Sequence, residues 1–127
     1  MMKISILKFA IVICASLALL TSCEYDIVVP VKHSNPPAGD TISFVQDVIP
    51  VFSARCIGCH ATGATAPDLS EANAYTDLTT NGYVVAKDPE SSSLYTACAP
   101  GGSMESHCSA AQLDLIYRWI YAGAKNN

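Results

Sequence analysis

The run Cys56-Ile57-Gly58-Cys59-His60 constrains this chain of 127 residues more than any other feature of its sequence. With this composition the pattern is expected by chance in only about 0.6% of chains. Two thiols at this spacing can add to the two vinyl groups of a porphyrin, and the adjacent imidazole can bind its iron. The run therefore predicts one covalent haem c (heme c), attached through Cys56 and Cys59, with His60 as an iron ligand.

Two other interpretations of the run at 56–60 compete with haem attachment. A redox-active dithiol of the thioredoxin type belongs between a strand and a helix of a parallel sheet, and no strand pattern here is convincing. A zinc site would need a fourth ligand such as His107, and the usual pairing of zinc ligands is missing. Haem attachment is the favoured interpretation.

The first 22 residues have the form of an export signal. Lys3 and Lys8 precede an apolar run over 9–20 that is short for a transmembrane span. Residues 20–23, Leu-Thr-Ser-Cys, resemble the lipobox of bacterial lipoproteins, in which the cysteine is acylated. We therefore expect removal of residues 1–22, a lipid on Cys23, and a domain held on a bacterial membrane in the periplasm or at the cell surface. An ordinary secretory signal and an uncleaved signal anchor are the alternatives.

Residues 23–40 are predicted to form the lipidated N-terminus and an extended tether. This stretch contains Pro30, Pro36, Pro37 and Gly39 and shows no helical period. A short strand over 27–31 is the alternative for its valine-rich part. The folded domain is then expected to occupy residues 41–127.

The domain is predicted to be all-α, beginning and ending with helices that carry capping-box patterns. Ser43 with Gln46 starts a first helix over about 43–55, which Pro50 should kink or delay. Ser109 with Gln112 starts a last helix, which ends at Gly123. One apolar face of that last helix should pack on Phe44 and Val48, and it is formed by Leu113, Ile116, Trp119 and Ile120.

Two shorter helices are predicted between these. Ser70 can cap a helix over about 71–79, which Asn81 and Gly82 end. Asp88 and Pro89 can start another, which runs to about residue 97. Because a domain of about 85 residues buries little surface by itself, we expect the cofactor to complete its core.

With these elements the sequence resembles the monohaem, class I-like cytochrome c domains of bacterial lipoproteins, over roughly residues 42–127. The shared elements are an Asp-Val-Ile-Pro-Val-Phe stretch at 47–52, the attachment motif at 56–60, Pro-Asp-Leu at 67–69, a methionine behind Pro-Gly-Gly at 100–102, and a final helix over 113–125 that ends near Gly-Ala-Lys. The distal loop departs from the family, since Met104 is followed by Glu105 rather than by proline. The resemblance implies a small helical cytochrome c-like fold around the haem.

The resemblance also assigns roles on the proximal side of the haem. It implies that the Pro67 carbonyl accepts the ring N–H of His60, which fixes the orientation of the imidazole. It makes Leu69 part of the haem pocket, and Phe52 and Tyr83 further candidates for covering the porphyrin. Simple packing in the core is the alternative role for these three side chains.

The second axial ligand is predicted by elimination. Met104 is the only methionine that remains after residues 1–22 are removed, so its thioether is the expected sixth ligand. His107 lies three residues later in the same loop and is the alternative, as is an open or water-bound position. His33 lies in the predicted tether, away from the core.

Cys98 and Cys108 bracket the loop that carries Met104. Cys14 leaves with the signal and Cys23 carries the lipid, so these two cysteines are not used by the other predicted sites. In an exported protein the default state of such a pair is a disulfide. We therefore predict a Cys98–Cys108 bridge that holds the Met104 sulfur near the iron.

These features predict electron transfer with redox proteins of the cell envelope as partners. Seven basic and eleven acidic residues give a net charge of −4, and the absence of a Lys/Arg cluster argues against nucleic-acid binding. The sequence has no nucleophile–base pair, paired carboxylates or phosphate loop, so we expect no enzyme activity and no small-molecule substrate. A haem-based gas sensor and a haem subunit of a dehydrogenase complex are the alternatives.

Overall fold

The structure is a computed structural model that describes residues 41–127. In these residues a π-helix leads into the first of four α-helices, and a 3₁₀ turn precedes the last. The elements are the π-helix Phe44–Val48, α1 (Ile49–Arg55), α2 (Ala74–Thr80), α3 (Ser93–Cys98), the 3₁₀ turn Glu105–His107 and α4 (Ala110–Tyr121). The described part contains no strand, so the all-α prediction is confirmed for it. The predicted signal, the Cys23 lipid site and the tether lie outside the described residues.

The first helix has an irregular start, as Pro50 predicts. Ser43 Oγ accepts the Gln46 N–H at 3.1 Å, which is the expected cap. The reciprocal bond of the capping box differs: the Ser43 N–H donates to Asp47 Oδ2 at 2.8 Å rather than to Gln46. The wider turn of a π-helix places the later residue opposite the cap. The helix becomes α-helical at Ile49, so that Pro50 falls in the first turn of α1, where its missing N–H is tolerated.

The last helix, α4, has the predicted cap and the predicted buried face. Ser109 Oγ accepts the Gln112 N–H at 3.3 Å, and Gln112 Oε1 accepts the Ser109 N–H at 2.9 Å. Gly123 follows the helix with a φ of 106°, a conformation that strongly favours glycine. The buried residues of the helix are Leu113, Ile116, Trp119 and Ile120.

Helix α2 begins later than predicted, after a turn that starts at Ser70. The Ser70 hydroxyl is turned toward Asp68 and donates to its Oδ1 at 2.6 Å, while the Ser70 carbonyl accepts the N–H groups of Asn73 and Ala74, so residues 71–73 form a turn before the helix. The helix begins instead at Ala74. Its end agrees with the prediction, since Asn81 is the C-cap and Gly82 has a φ of 75°.

Helix α3 also begins late, because the turn after Asp88 is separate from it. Asp88 Oδ1 accepts the Ser91 N–H at 3.2 Å within that turn. Ser92 then adopts an extended conformation and is fully buried. Its hydroxyl donates to the Asp88 carbonyl at 2.8 Å and accepts the Val85 N–H at 2.9 Å. These two hydrogen bonds provide partners for the buried hydroxyl, and they mark the end of the turn before α3 starts.

The aromatic core joins the start and the end of the domain. The rings of Phe44 and Trp119 have centroids 4.9 Å apart, which confirms the predicted packing of these two residues. Phe44 also contacts Phe52 and Tyr75, with centroids 6.4 and 5.4 Å away. Trp119 Nε1 donates to the Lys125 carbonyl at 2.9 Å, so the indole is both packed and hydrogen bonded. Within residues 41–127 no helix has the length and apolar character needed to cross a membrane.

Candidate cofactor-binding cavity

A cavity of about 460 Å³ lies between the end of α1, helix α3 and the loop that precedes α4. Cys56, Cys59, His60 and Met104 all contribute to its wall. The apolar part of the wall is formed mainly by Phe52, Pro67, Leu69, Tyr83, Leu94, Ala97 and Ile116. Ligand sites in proteins commonly have volumes of about 300–1,000 Å³ and mostly apolar walls. The fold thus brings the predicted haem-site residues to one space of suitable size and character.

The Cys56–His60 segment continues the end of α1 as a tight series of turns. The Cys56 N–H donates to the Phe52 carbonyl at 2.8 Å. The N–H groups of Cys59 and His60 both donate to the Cys56 carbonyl, at 3.1 and 3.0 Å. These turns present both thiols and the imidazole to the same cavity, which is the arrangement that attachment at two points and iron binding at a third requires.

The imidazole of His60 is oriented by two backbone carbonyls. Its Nδ1 lies 3.1 Å from the Thr65 oxygen and 3.2 Å from the Pro67 oxygen. Because both partners are acceptors, Nδ1 carries the proton and Nε2 keeps the lone pair that a metal needs. The bond to Pro67 is the one that the family resemblance implies. The bond to Thr65 was not predicted, and no sequence pattern marks it.

Asp68 fixes the loop that supplies the Pro67 carbonyl. Its carboxylate accepts the hydroxyl of Ser70 at 2.6 Å and the N–H of Ser70 at 2.9 Å. It also accepts the side-chain amide of Asn73 at 2.9 Å, and the Asp68 N–H donates to Asp77 at 2.7 Å. The hydrogen bonds that the carboxylate accepts, that of the Ser70 hydroxyl first, hold the pKa of Asp68 well below its ordinary value. Asp68 is a positioning residue that the sequence analysis missed.

The loop on the other side of the cavity is shaped by glycines. Gly101 has a φ of 84°, and a Cβ at Gly102 would overlap the carbonyl oxygens of Thr96 and Ala97. This close approach lets the Met104 N–H donate to the Ala97 carbonyl at 2.7 Å. Met104 is therefore tied to α3 through its backbone, while 36% of the residue remains exposed.

His107 lies next to the predicted methionine ligand in space as well as in sequence. The backbone N–H of His107 donates to the Met104 carbonyl at 2.9 Å, and both residues contribute to the cavity wall. The fold therefore leaves both candidates for the sixth ligand in place. Arg55 also contributes to the wall, which the sequence analysis missed. Its position directly before Cys56 is the signal that could have indicated it.

Cys98 and Cys108 contribute to the same wall, with their Sγ atoms 2.6 Å apart. The two sulfurs are close but not joined in this structure, so the predicted bridge stays a prediction. Burial, and secondly the charge of Cys108, raise the pKa of the Cys56 thiol. Cys98 is buried, whereas Cys108 is partly accessible.

Within residues 41–127 no group of three or more His, Cys, Asp and Glu side chains has an arrangement that could hold a metal ion. The comparisons of the chain with family models, with curated proteins and with solved structures returned no match.

Proposed function

We propose that the protein is a one-electron carrier of the cell envelope, a monohaem c-type cytochrome anchored to the membrane through Cys23. One observation carries the proposal. Cys56, Cys59 and His60 face the same largely apolar cavity as Met104, although Met104 belongs to a loop distant in sequence. Two attachment points and two axial ligands around one space make up the donor set of a His/Met haem c site.

The residues of the proximal side fit such a group. The thiols of Cys56 and Cys59 would form the two thioether bonds, and His60 would bind the iron through Nε2. The carbonyls of Thr65 and Pro67 accept the Nδ1 proton, which increases the basicity of the ligand and fixes its plane. The chemistry that haem supplies when bound is a reversible one-electron couple of its iron.

Met104 is the proposed sixth ligand on the distal side. A thioether favours the ferrous state, so coordination by histidine and methionine raises the potential relative to two imidazoles. Two protein ligands also leave no position on the iron for a substrate. This is the physical reason for proposing a carrier rather than an enzyme, with redox proteins rather than small molecules as partners.

A haem-based gas sensor is a second candidate, and one observation favours it. Met104 keeps 36% of its surface exposed, and no proline follows it to stiffen the loop. A thioether held this loosely could be displaced by a diatomic gas. The two candidates differ in one property, the ease with which an external ligand reaches the iron.

Optical spectra of the purified full-length protein, ferric and ferrous, with and without carbon monoxide, test the proposal. We expect a low-spin haem c spectrum, a sulfur-to-iron charge-transfer band in the ferric state, and poor binding of carbon monoxide near neutral pH. Rapid binding of carbon monoxide would favour the sensor. A protein that contains no haem would contradict both candidates.

A further inference from the structure

We propose that Cys98 and Cys108 form a reversible thiol switch, which determines whether Met104 stays bound to the iron. The inference rests on the haem site proposed above and adds a second redox centre to it. In the disulfide state the loop is closed and Met104 is held at the cavity. In the dithiol state the loop is released, and the sixth position becomes accessible to external ligands.

The two cysteines lie at the two ends of the loop that carries Met104. Cys98 ends α3, and Cys108 directly follows the 3₁₀ turn Glu105–His107. Their Sγ atoms lie 2.6 Å apart, so closing the bond to the usual length of about 2.05 Å requires only a small movement. The bond would close a covalent loop of residues 98–108, which contains Met104 and no other element than the 3₁₀ turn.

Most hydrogen bonds that restrain this segment lie within it: the N–H groups of Gly102, Glu105, His107 and Cys108 donate to the carbonyls of Ala99, Gly102, Met104 and Glu105. The Met104 N–H donates to the Ala97 carbonyl at 2.7 Å, and the Gly101 N–H donates to the Glu105 carboxylate at 2.8 Å. The second of these bonds is exposed and lies within the loop itself. Only the first connects the methionine to a helix. A covalent bond between Cys108 and Cys98 would tie the far end of the segment to the end of α3.

The two sulfurs differ in a way that suits thiol exchange. Cys98 is 7% exposed, whereas Cys108 is partly accessible, so an external reagent reaches Cys108 first. An external thiolate is therefore expected to attack Cys108, with Cys98 as the leaving sulfur.

Opening of the switch is a two-electron reduction by an external dithiol. A thiolate of the dithiol attacks Cys108 Sγ, the bond to Cys98 breaks, and Cys98 leaves as a thiolate and takes up a proton. The second thiol of the reagent then attacks the mixed disulfide and displaces Cys108, which is also protonated. The reagent departs as a cyclic disulfide, so two electrons and two protons have passed to the protein.

The test compares carbon monoxide binding by the ferrous full-length protein before and after treatment with dithiothreitol. Dithionite keeps the iron ferrous in both samples, so that only the state of the cysteines differs. Binding should be slow while Cys98 and Cys108 map as a linked peptide pair, and about tenfold faster or more once both are alkylatable, because the rate follows the fraction of open sites. Reoxidation of the thiols should restore slow binding.

The double variant Cys98→Ser/Cys108→Ser is the matched control, and it should bind carbon monoxide rapidly with or without dithiothreitol. The reversible experiment on the unmodified protein does not depend on this variant, so the test survives if the variant folds poorly. Unchanged slow binding after both thiols have become alkylatable would overturn the switch, since the Met104–Ala97 hydrogen bond would then suffice. Two free thiols in the air-oxidised protein would also overturn it. Neither result affects covalent haem attachment, which is measured separately.

Discussion

His60 Nδ1 lies 3.2 Å from the carbonyl oxygen of Pro67, and this contact sets the chemical character of the imidazole. A carbonyl can only accept, so the proton resides on Nδ1 and the opposite nitrogen is free to bind a metal. The Pro67 carbonyl keeps its place because Asp68, the next residue, is hydrogen bonded to Ser70 and Asn73. The proximal side is thus organised by the polypeptide itself.

Substitution of Asp68 tests this organisation through its pH dependence. The folded-state pKa of Asp68 is lower than its ordinary value of about 3.9, so its contribution to stability is fully present above about pH 4. That contribution is lost as the pH falls toward the folded-state pKa. Asp68→Asn should therefore lower the free energy of unfolding at pH 7, and the difference from the unmodified protein should shrink below about pH 4.

Denaturant unfolding at several pH values measures the Asp68 effect. Glu71→Gln is a suitable control, because it removes one carboxylate charge from an exposed residue of the neighbouring turn. Glu71→Gln should change the free energy of unfolding little at any of these pH values. A difference for Asp68→Asn that stays constant from neutral to acid pH would show that the hydrogen bonds do not depend on the carboxylate charge.

The aromatic core should account for a large part of the stability. Trp119 is 1% exposed and packs on Phe44, so Trp119→Ala should lower the free energy of unfolding by about 3–5 kcal/mol. Trp119→Phe keeps an aromatic ring and loses the hydrogen bond to Lys125, so it should cost clearly less. Equal effects of the two substitutions in denaturant unfolding would argue against the role assigned to this packing.

Much of the secondary structure was predictable because its signals are local. The Ser109–Gln112 capping box and the buried face of α4 depend only on residues close in sequence, and both are present in the structure. The predicted cap at Ser70 is not formed because the Ser70 side chain is turned toward Asp68, to which its hydroxyl donates. The orientation of such a side chain depends on the local backbone geometry, which cannot be deduced from the residue types alone.

The residues that would bind a cofactor could be predicted from the sequence, whereas the backbone contacts that position them could not. Cys56, Cys59 and His60 form a chemical motif, which can be recognised without a fold. The overlap that a side chain at Gly102 would make with the Ala97 carbonyl depends on how the loop folds back onto α3, and no sequence pattern marks it. The same is true of the Thr65 carbonyl beside the histidine.

The sixth ligand can be identified by two substitutions in the distal loop. Met104→Ala should abolish the sulfur-to-iron band, lower the reduction potential and speed the binding of carbon monoxide, because it opens the sixth position. His107→Ala should leave all three properties nearly unchanged. Loss of low-spin coordination in the His107 variant would keep the carrier function and assign the ligand to His107 instead.

The membrane anchor is tested by metabolic labelling with a fatty acid. Cys23→Ala should abolish incorporation of the label, because the proposed acylated thiol is removed. Cys14→Ala lies within the predicted signal and serves as the control, which should be labelled normally. A fatty-acid label that persists in the Cys23 variant would contradict lipidation at this residue. Membrane fractionation alone does not distinguish lipid attachment from an uncleaved signal.

Covalent haem is the central claim, and denaturation followed by extraction with acidified organic solvent measures it most directly. Thioether bonds to Cys56 and Cys59 would survive this treatment, so the porphyrin should remain with the protein and its mass should appear on the peptide that contains residues 56–60. A porphyrin that passes into the solvent, or a protein that carries none, would contradict the account.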